Sequence, residues 1–387
     1  MTAPVESTAR RSPDSLRVLD GILGQLPVTT GSVCSMHTTR AWIEFMQSTV
    51  GGEPCSLIDP QTGIGFAAFR ITRGDPPPPG DLVRLLTDRS WVASPAASEA
   101  AREQVKRIST EPWLPCLFVT FPGMATFPVP EVNPPVSEMT ATVERVIRYA
   151  DESGCRTVAF PYVIPEARST AQALQRLGLV PLAESARADL AVHPDGLEGH
   201  VAALPKAGRR QIRRDLRDLT RARVHTTEEP LTAQLVTLIA RLRCGYKRRY
   251  GLTADEGAER QRAGELLGRF GGDAGVTAFV SRRDRRPVRF SLFVRNGAVW
   301  HALWTGADYE SGGYPRTYFD ALFYEPLRAA QRSGISEITY GIGGDEAKRR
   351  RGCVLHPVRC FSLILPLAQP NGAAGTAEMA GDVRHQG

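Results

Sequence analysis

Short alternating runs of apolar residues are separated along this chain by amphipathic stretches, the pattern of a sheet interleaved with helices. Arg40 to Thr49 and Met139 to Ala150 read as helices, the second clearly amphipathic. Cys55–Leu57, Gly65–Arg70 and Cys116–Phe121 read as strands, the last buried by its β-branched and aromatic content. The GDPPPPG run at Gly74–Gly80 and the prolines at 122, 128, 130, 134 and 135 break regular structure into long connections. Further on, Thr232 to Tyr250 and Ala254 to Phe270 read as helices. A three-stranded antiparallel meander follows (VTAFVSR, VRFSLFVRNG, AVWHALWTG), then a helix opening at Gly313-Tyr314-Pro315 and running to Ser333, then the strand SEITYGIG. The predicted fold class is α/β, as mixed α+β sheets.

Two stretches 180 residues apart repeat one another: RYADESGCRTVAFPYV from Arg148 and RAAQRSGISEITYGIG from Arg328. The echo continues where LQRLGLVPLAESARADLAV, from Leu174, sits over KRRRGCVLHPVRCFSLIL, from Lys348, with Gly178 over Gly352. Each copy reads helix, Gly, strand, short helix, Gly, strand. So long a period implies two similar domains rather than a solenoid, and function is to be sought where the copies differ. The expected division is a disordered segment over 1–15, a first domain over 16–200, a helical connector over 201–270, a second domain over 271–366 and a disordered Gly/Ala-rich tail over 367–387.

Composition narrows the class. No run approaches a membrane span and the N-terminus lacks a signal-peptide core, so the expected location is the cytoplasm and the expected state a monomer. Seven scattered cysteines and seven histidines show no metal-ligand spacing, and neither a disulfide framework nor a metal site is expected. The net charge of +7 divides unevenly, −5 over residues 1–200 and +12 over 201–387, which suits a polyanionic or phosphorylated ligand in the second half. Much of that charge lies in LPKAGRRQIRRDLRDLTRARV, Leu204 to Val224. There Ile212, Leu216 and Leu219 make one apolar helix face, and Arg209, Arg213, Arg217 and Arg221 repel one another along a side that an external anion would relieve.

As a unit, the second copy resembles the GNAT acyltransferase fold, and ALFYEPLRAAQRSGISEITYGIGGDEAKRRRG (Ala321 to Gly352) is similar to the closing signature of its Fem-like branch. That branch takes in peptidoglycan-bridge aminoacyltransferases and BioF2-like acetyltransferase domains. The resemblance implies tandem GNAT-like domains, the first of them degenerate, joined by a basic helical connector. A GNAT that uses coenzyme A places Q/R-x-x-G-x-G/A at the strand–helix junction. Here the junction reads GADYESGGYPRTYF, where Gly312 and Gly313 could still approach a phosphate but Pro315 removes an amide.

The resemblance then implies amide formation by transfer of an acyl or aminoacyl group to a small-molecule or peptide amine, with no bound cofactor and with aminoacyl-tRNA as donor. A tRNA partner would also account for the basic half. Acyl-CoA is the alternative donor, and non-catalytic RNA binding by the connector the alternative of another class. Among candidate catalytic residues Lys348 stands first. It is one of only four lysines beside 44 arginines, it falls where the Fem-like pattern has its lysine, and its ammonium could bind a donor phosphate or an oxyanion. Asp345 and Glu346 could take the amine's proton or cap a short helix, and Tyr324 could donate to the oxyanion or simply pack. The donor-binding candidates are Arg209, Arg213, Arg217, Gly312, Gly313, Gly343 and Gly344. His301, inside AVWHALW, reads as a core histidine or as one facing a cleft, and the Arg282–Arg289 turn as a solvated hairpin or an RNA contact.

Overall fold

In a computed structural model of the full chain, the described residues are 15–22, 33–72, 74, 76–87, 91–93, 99–271, 275–310 and 316–366. The expectations of disorder over 1–14 and 367–387, and the candidates Gly312 and Gly313, lie outside them.

Among the described residues thirteen strands form one mixed sheet. In chain order they are β1 (Arg17–Asp20), β2 (Glu53–Ile58), β3 (Gly65–Ile71), β4 (Val92–Ala93), β5 (Cys116–Val119), β6 (Thr157–Val163), β7 (Pro181–Ala191), β8 (Val224–Pro230), β9 (Val276–Arg283), β10 (Arg286–Asn296), β11 (Val299–Ala307), β12 (Glu337–Ile342) and β13 (Val354–Ile364). Across the sheet the order is β1-β2-β3-β5-β6-β13-β7-β12-β11-β10-β9-β8, with β4 attached to β7. Each half runs as an antiparallel ladder into one parallel pair, β5 with β6 and β11 with β12.

The sequence repeat is a structural repeat. Gly154 and Gly334, and again Gly178 and Gly352, all hold positive φ, between 66° and 86°. A side chain at any of the four would be strained at the turn that aims the following strand. What the sequence does not show is how the copies join. The strand that closes each copy crosses over, so that β13, from the second, lies between β6 and β7, and β7, from the first, lies between β13 and β12. The two halves share one ladder instead of docking as separate sheets.

Three apolar clusters hold the layers. One lies under the first half, around Phe66, Phe69, Phe118 and Phe160. A second packs the Thr317–Arg332 helical segment on the second half, around Phe279, Phe293, Trp300 and Phe323. The third joins the halves, with Trp42 and Phe45 against Leu242, Leu266 and Trp304. The Arg40–Met46 helix is started by Thr39, whose side chain accepts from the Trp42 amide, and it buries Trp42, Ile43, Phe45 and Met46. The basic helix runs Lys206–Arg221, with Ile212 and Leu219 buried and Leu216 half-buried. The stretch expected to be a purely helical connector also contains β8, which forms the outer edge of the second half. Its alternation is masked by HTTEEP, because an edge strand needs little apolar content.

Candidate active site

The parallel pair β11–β12 is in register only over Val299–His301 and Glu337–Thr339. Beyond it β11 continues along β10, and β12 meets β7 again only at Ile342, after a shift in register. The strands part, and a cleft of about 730 Å³ opens there, lined by His301–Thr305 and Thr339–Ile342. Its other walls come from the Ala233–Arg249 and Glu256–Phe270 helices (Arg243, Tyr246, Lys247, Glu259, Arg262) and from the first half (His37, Trp42, Met124, Arg187). The cleft therefore lies where the two halves meet.

One polar side chain of the cleft stands without a partner. The imidazole of His301 is 5% exposed and its Nε2 makes no hydrogen bond. Burial, helped by the nearby His37 and Arg187, lowers its pKa from 6.5 to about 3. The ring is thus neutral at physiological pH. The Tyr340 hydroxyl is also buried and without a partner, but on the opposite face of β12, where its ring stacks on Phe323; burial raises its pKa well above the ordinary value, so it keeps its proton. The remaining charge is mostly positive. Arg187 is held by Glu166 and Asp189, Arg243 and Lys247 share Glu259, and Arg262 lies over Phe45 and Trp304 with no carboxylate against it among the described residues.

Lys348 is not on the cleft wall. Its ammonium is 4% exposed and donates to Tyr340 O at 3.0 Å and Gly341 O at 2.9 Å. Burial lowers its pKa from 10.5 to about 8. In this position it meets neither a donor phosphate nor an oxyanion; it holds the backbone of the unpaired stretch of β12. The carbonyl and the following amide of a trans peptide point opposite ways, so with Tyr340 O turned to Lys348 the Gly341 N–H is turned away from it.

The other sequence candidates among the described residues lie apart from the cleft. Tyr324 is buried on a π-helical turn (Asp320–Tyr324) and donates to Asp215 Oδ2 at 2.6 Å, while Arg351 pairs with the same oxygen at 3.1 Å and Arg316 with Oδ1 at 3.0 Å. That hydroxyl is committed to a buried ion-pair network that pins the basic helix to the helical segment below it. Asp345 begins the short Asp345–Arg349 helix with one carboxylate oxygen buried and unpartnered, and Glu346 is exposed and paired with Arg349 and Arg350. Gly343 and Gly344 form the left-handed turn before that helix, a backbone role. On the basic helix Arg213 and Arg217 are exposed, but Arg209 is half-buried and donates to Leu204 O at 2.6 Å. Sequence reasoning named His301 without choosing it and missed Tyr340. The signal was present, in the difference between the copies.

That difference is now readable residue by residue. The third pair of the first copy's parallel ladder is Phe118–Ala159, where the second copy has His301–Thr339. The next residues are Phe160 and Pro161, against Tyr340 and Gly341, and Leu174 stands where the repeat places Lys348. Each of these polar side chains, His301, Thr339, Tyr340 and Lys348, has an apolar counterpart in the first copy, and the Gly341 amide is replaced by an imino nitrogen. The first copy's gap is also filled. Thr126 donates its amide to Tyr162 O at 2.7 Å and accepts from the Tyr162 amide through its hydroxyl, while Phe121 and Phe127 stack 4.6 Å apart beneath.

Residues 206–349 match the family model described as an acetyltransferase (GNAT) domain. No curated protein matches the chain in sequence. Among solved structures, FemX is similar at a TM-score of 0.53, with 10% identity over 88% of this chain and 94% of that one. A tandem GNAT protein from the clavulanic acid biosynthesis pathway is similar at 0.43, with 10% identity over 90% and 98%. L-PGS from Bacillus licheniformis is similar at 0.43, with 11% identity over 64% of this chain and 77% of its own. Among the described residues no helix is long and apolar enough to cross a membrane, and no group of three His, Cys, Asp or Glu side chains is placed to hold a metal ion. The GNAT match runs from the basic helix to the Lys348 turn, so this stretch is a GNAT-type domain, carried in a chain whose fold is similar to that of FemX.

Proposed function

We propose that the second copy alone carries the chemistry, that the cleft between β11 and β12 is its active centre, and that the reaction transfers an aminoacyl group from tRNA to an amine. The carrying observation is that His301, Thr339 and the Gly341 amide give way in the first copy to Phe118, Ala159 and Pro161.

In this reading the acyl carbonyl enters the gap between the parted strands. The Gly341 amide, turned away from Lys348, donates to the oxyanion of the tetrahedral intermediate. Neutral His301 takes a proton from the attacking amine through Nε2 and returns it to the departing oxygen. Lys348 is a positioning residue that fixes the peptide plane on which the oxyanion donor sits. The acceptor approaches from the first-half side, past His37 and Trp42, and the excess of positive side chains suits an anionic substrate.

The donor assignment rests on the basic helix. Lys206, Arg210, Arg213, Arg214 and Arg217 are exposed there, and the described residues give them no ion pair. Such a face fits a polyanion better than it fits a compact thioester. The test is amide formation in a cell extract supplied with candidate amines. Ribonuclease treatment should abolish it and removal of acyl-CoA should leave it unchanged; ribonuclease-resistant transfer that requires acyl-CoA overturns the donor assignment.

A further inference from the structure

The hairpin of arginines at β9–β10 divides on folding. Arg283 and Arg285 are exposed, Arg282 pairs with Glu229 and Arg286 with Asp308. Arg289 is different: it is 3% exposed, with no carboxylate against it among the described residues. Its Nε donates to Thr317 Oγ1 at 3.0 Å and its NH1 donates to nothing. Around the guanidinium stand the rings of Tyr318, at 5.3 Å, and Tyr309, at 5.7 Å. Two residues along the same strand, so on the same face, Ser291 is fully buried and its hydroxyl also lacks a partner.

A guanidinium cannot shed its proton, so a buried one without a counter-charge is a standing cost to the fold. Rings soften that cost, but they do not use the fork of the free edge. The unmet requirement is an anion with two or more acceptor oxygens.

Position says which anion. Arg289 pairs in register with Ala307, at the end of β11, and Ser291 with Thr305, which lines the cleft. Tyr246, another cleft residue, feels the charge of Arg289, and its ring meets that of the exposed Tyr250 at 4.7 Å. An acyl group held in the gap between β11 and β12 would have the rest of its carrier leading along β11 toward Arg289, on the face covered by the Thr317–Arg332 segment, past tyrosine rings suited to a base.

We propose that Arg289 binds a phosphate of the nucleotide end of the acyl donor, with the tyrosine rings beside it taking the base. This rests on the cleft being the active centre, and it assigns a phosphate grip made by a buried side chain instead of by loop amides. The Tyr309 ring that borders the guanidinium is only half-buried.

Calorimetric titration of the full chain with adenosine 5′-monophosphate, adenosine and inorganic phosphate tests it without any turnover. The nucleotide should bind at least tenfold tighter than adenosine, and Arg289→Met should remove that advantage while leaving adenosine binding unchanged. Thr317→Val, which frees the guanidinium from its tether, should weaken the nucleotide alone; it decides the matter if Arg289→Met fails to fold. Equal affinity for nucleotide and nucleoside in the wild type, or an unaltered nucleotide affinity in a folded Arg289 or Thr317 variant, overturns the proposal. Competition by coenzyme A or by deacylated tRNA then says which donor owns the site. A phosphate grip that survives while His301 variants retain full transfer would refute the active centre and not the grip.

Discussion

His301→Phe installs in the second copy the residue that the first copy carries at the equivalent ladder position, Phe118. The buried imidazole has its pKa lowered from 6.5 to about 3, so between those values the unfolded chain binds a proton that the folded chain refuses. Stability from this group is therefore complete above pH 6.5 and falls as the pH drops toward 3. At about 1.4 kcal/mol per pH unit, His301 alone should cost the fold ~2 kcal/mol between pH 7 and pH 5, and about 5 kcal/mol once the pH is below both values. Phenylalanine abolishes that dependence. Its extra volume should cost about 1–3 kcal/mol, but by the same amount at both pH values. Urea unfolding at pH 7 and pH 5 therefore isolates the effect as a difference of differences. His37, lowered to about 4, remains in both proteins as a common background. Amide formation should fall at least a hundredfold, the usual scale for losing a general base. If wild type and variant lose equal stability between the two pH values, His301 is not the neutral buried group on which the mechanism stands.

Lys348→Met should fold, since it removes a buried charge, yet should lower turnover about a hundredfold with little change in KM, because the oxyanion donor loses its fixed plane; equal losses in both constants would mean a substrate-binding role instead. Changing Arg210, Arg213 and Arg217 together to Gln should weaken RNA binding and flatten its salt dependence by about three counterions, measured by filter binding across a salt series; an unchanged slope would return the helix to a solvated face. Asp215→Ala strands the buried Arg351, while Arg316 keeps Asp218, and should destabilise by about 3–5 kcal/mol in urea unfolding; a cost under about 1 kcal/mol would show the network to be incidental.

The repeat, the meander and the amphipathic helices were legible because they are local: periodicity and left-handed glycines act within a few residues of themselves. Strand exchange was not, since β7 and β13 are equally apolar whichever neighbours they take. The site was half legible. Lys348 stood out by rarity, but rarity carries no direction, and only the fold shows the ammonium turned onto two carbonyls. Arg209, Arg213 and Arg217 lie on one side of their helix in sequence, yet Arg209 bends back to cap the preceding turn. Tyr340 and His301 were in plain view as the polar members of pairs whose other members, Phe160 and Phe118, are apolar. Aligning the copies position by position, instead of by pattern, points to Tyr340 before any coordinates exist, while His301 needs the ladder register as well.

The exchanged strand also sets a timetable for synthesis. β6 and β7 belong to the first half, but the gap between them is filled by β13, about 160 residues later in the chain. At roughly 5–20 residues per second, the ribosome leaves that gap open for about 8–30 s. Through that interval two long apolar edges lie side by side without a partner, an invitation to pairing with another nascent chain. A host that needs this protein in quantity must shield the first half until the last strand arrives, and a gene cut between the copies yields two fragments that each lack a strand only the other can lend.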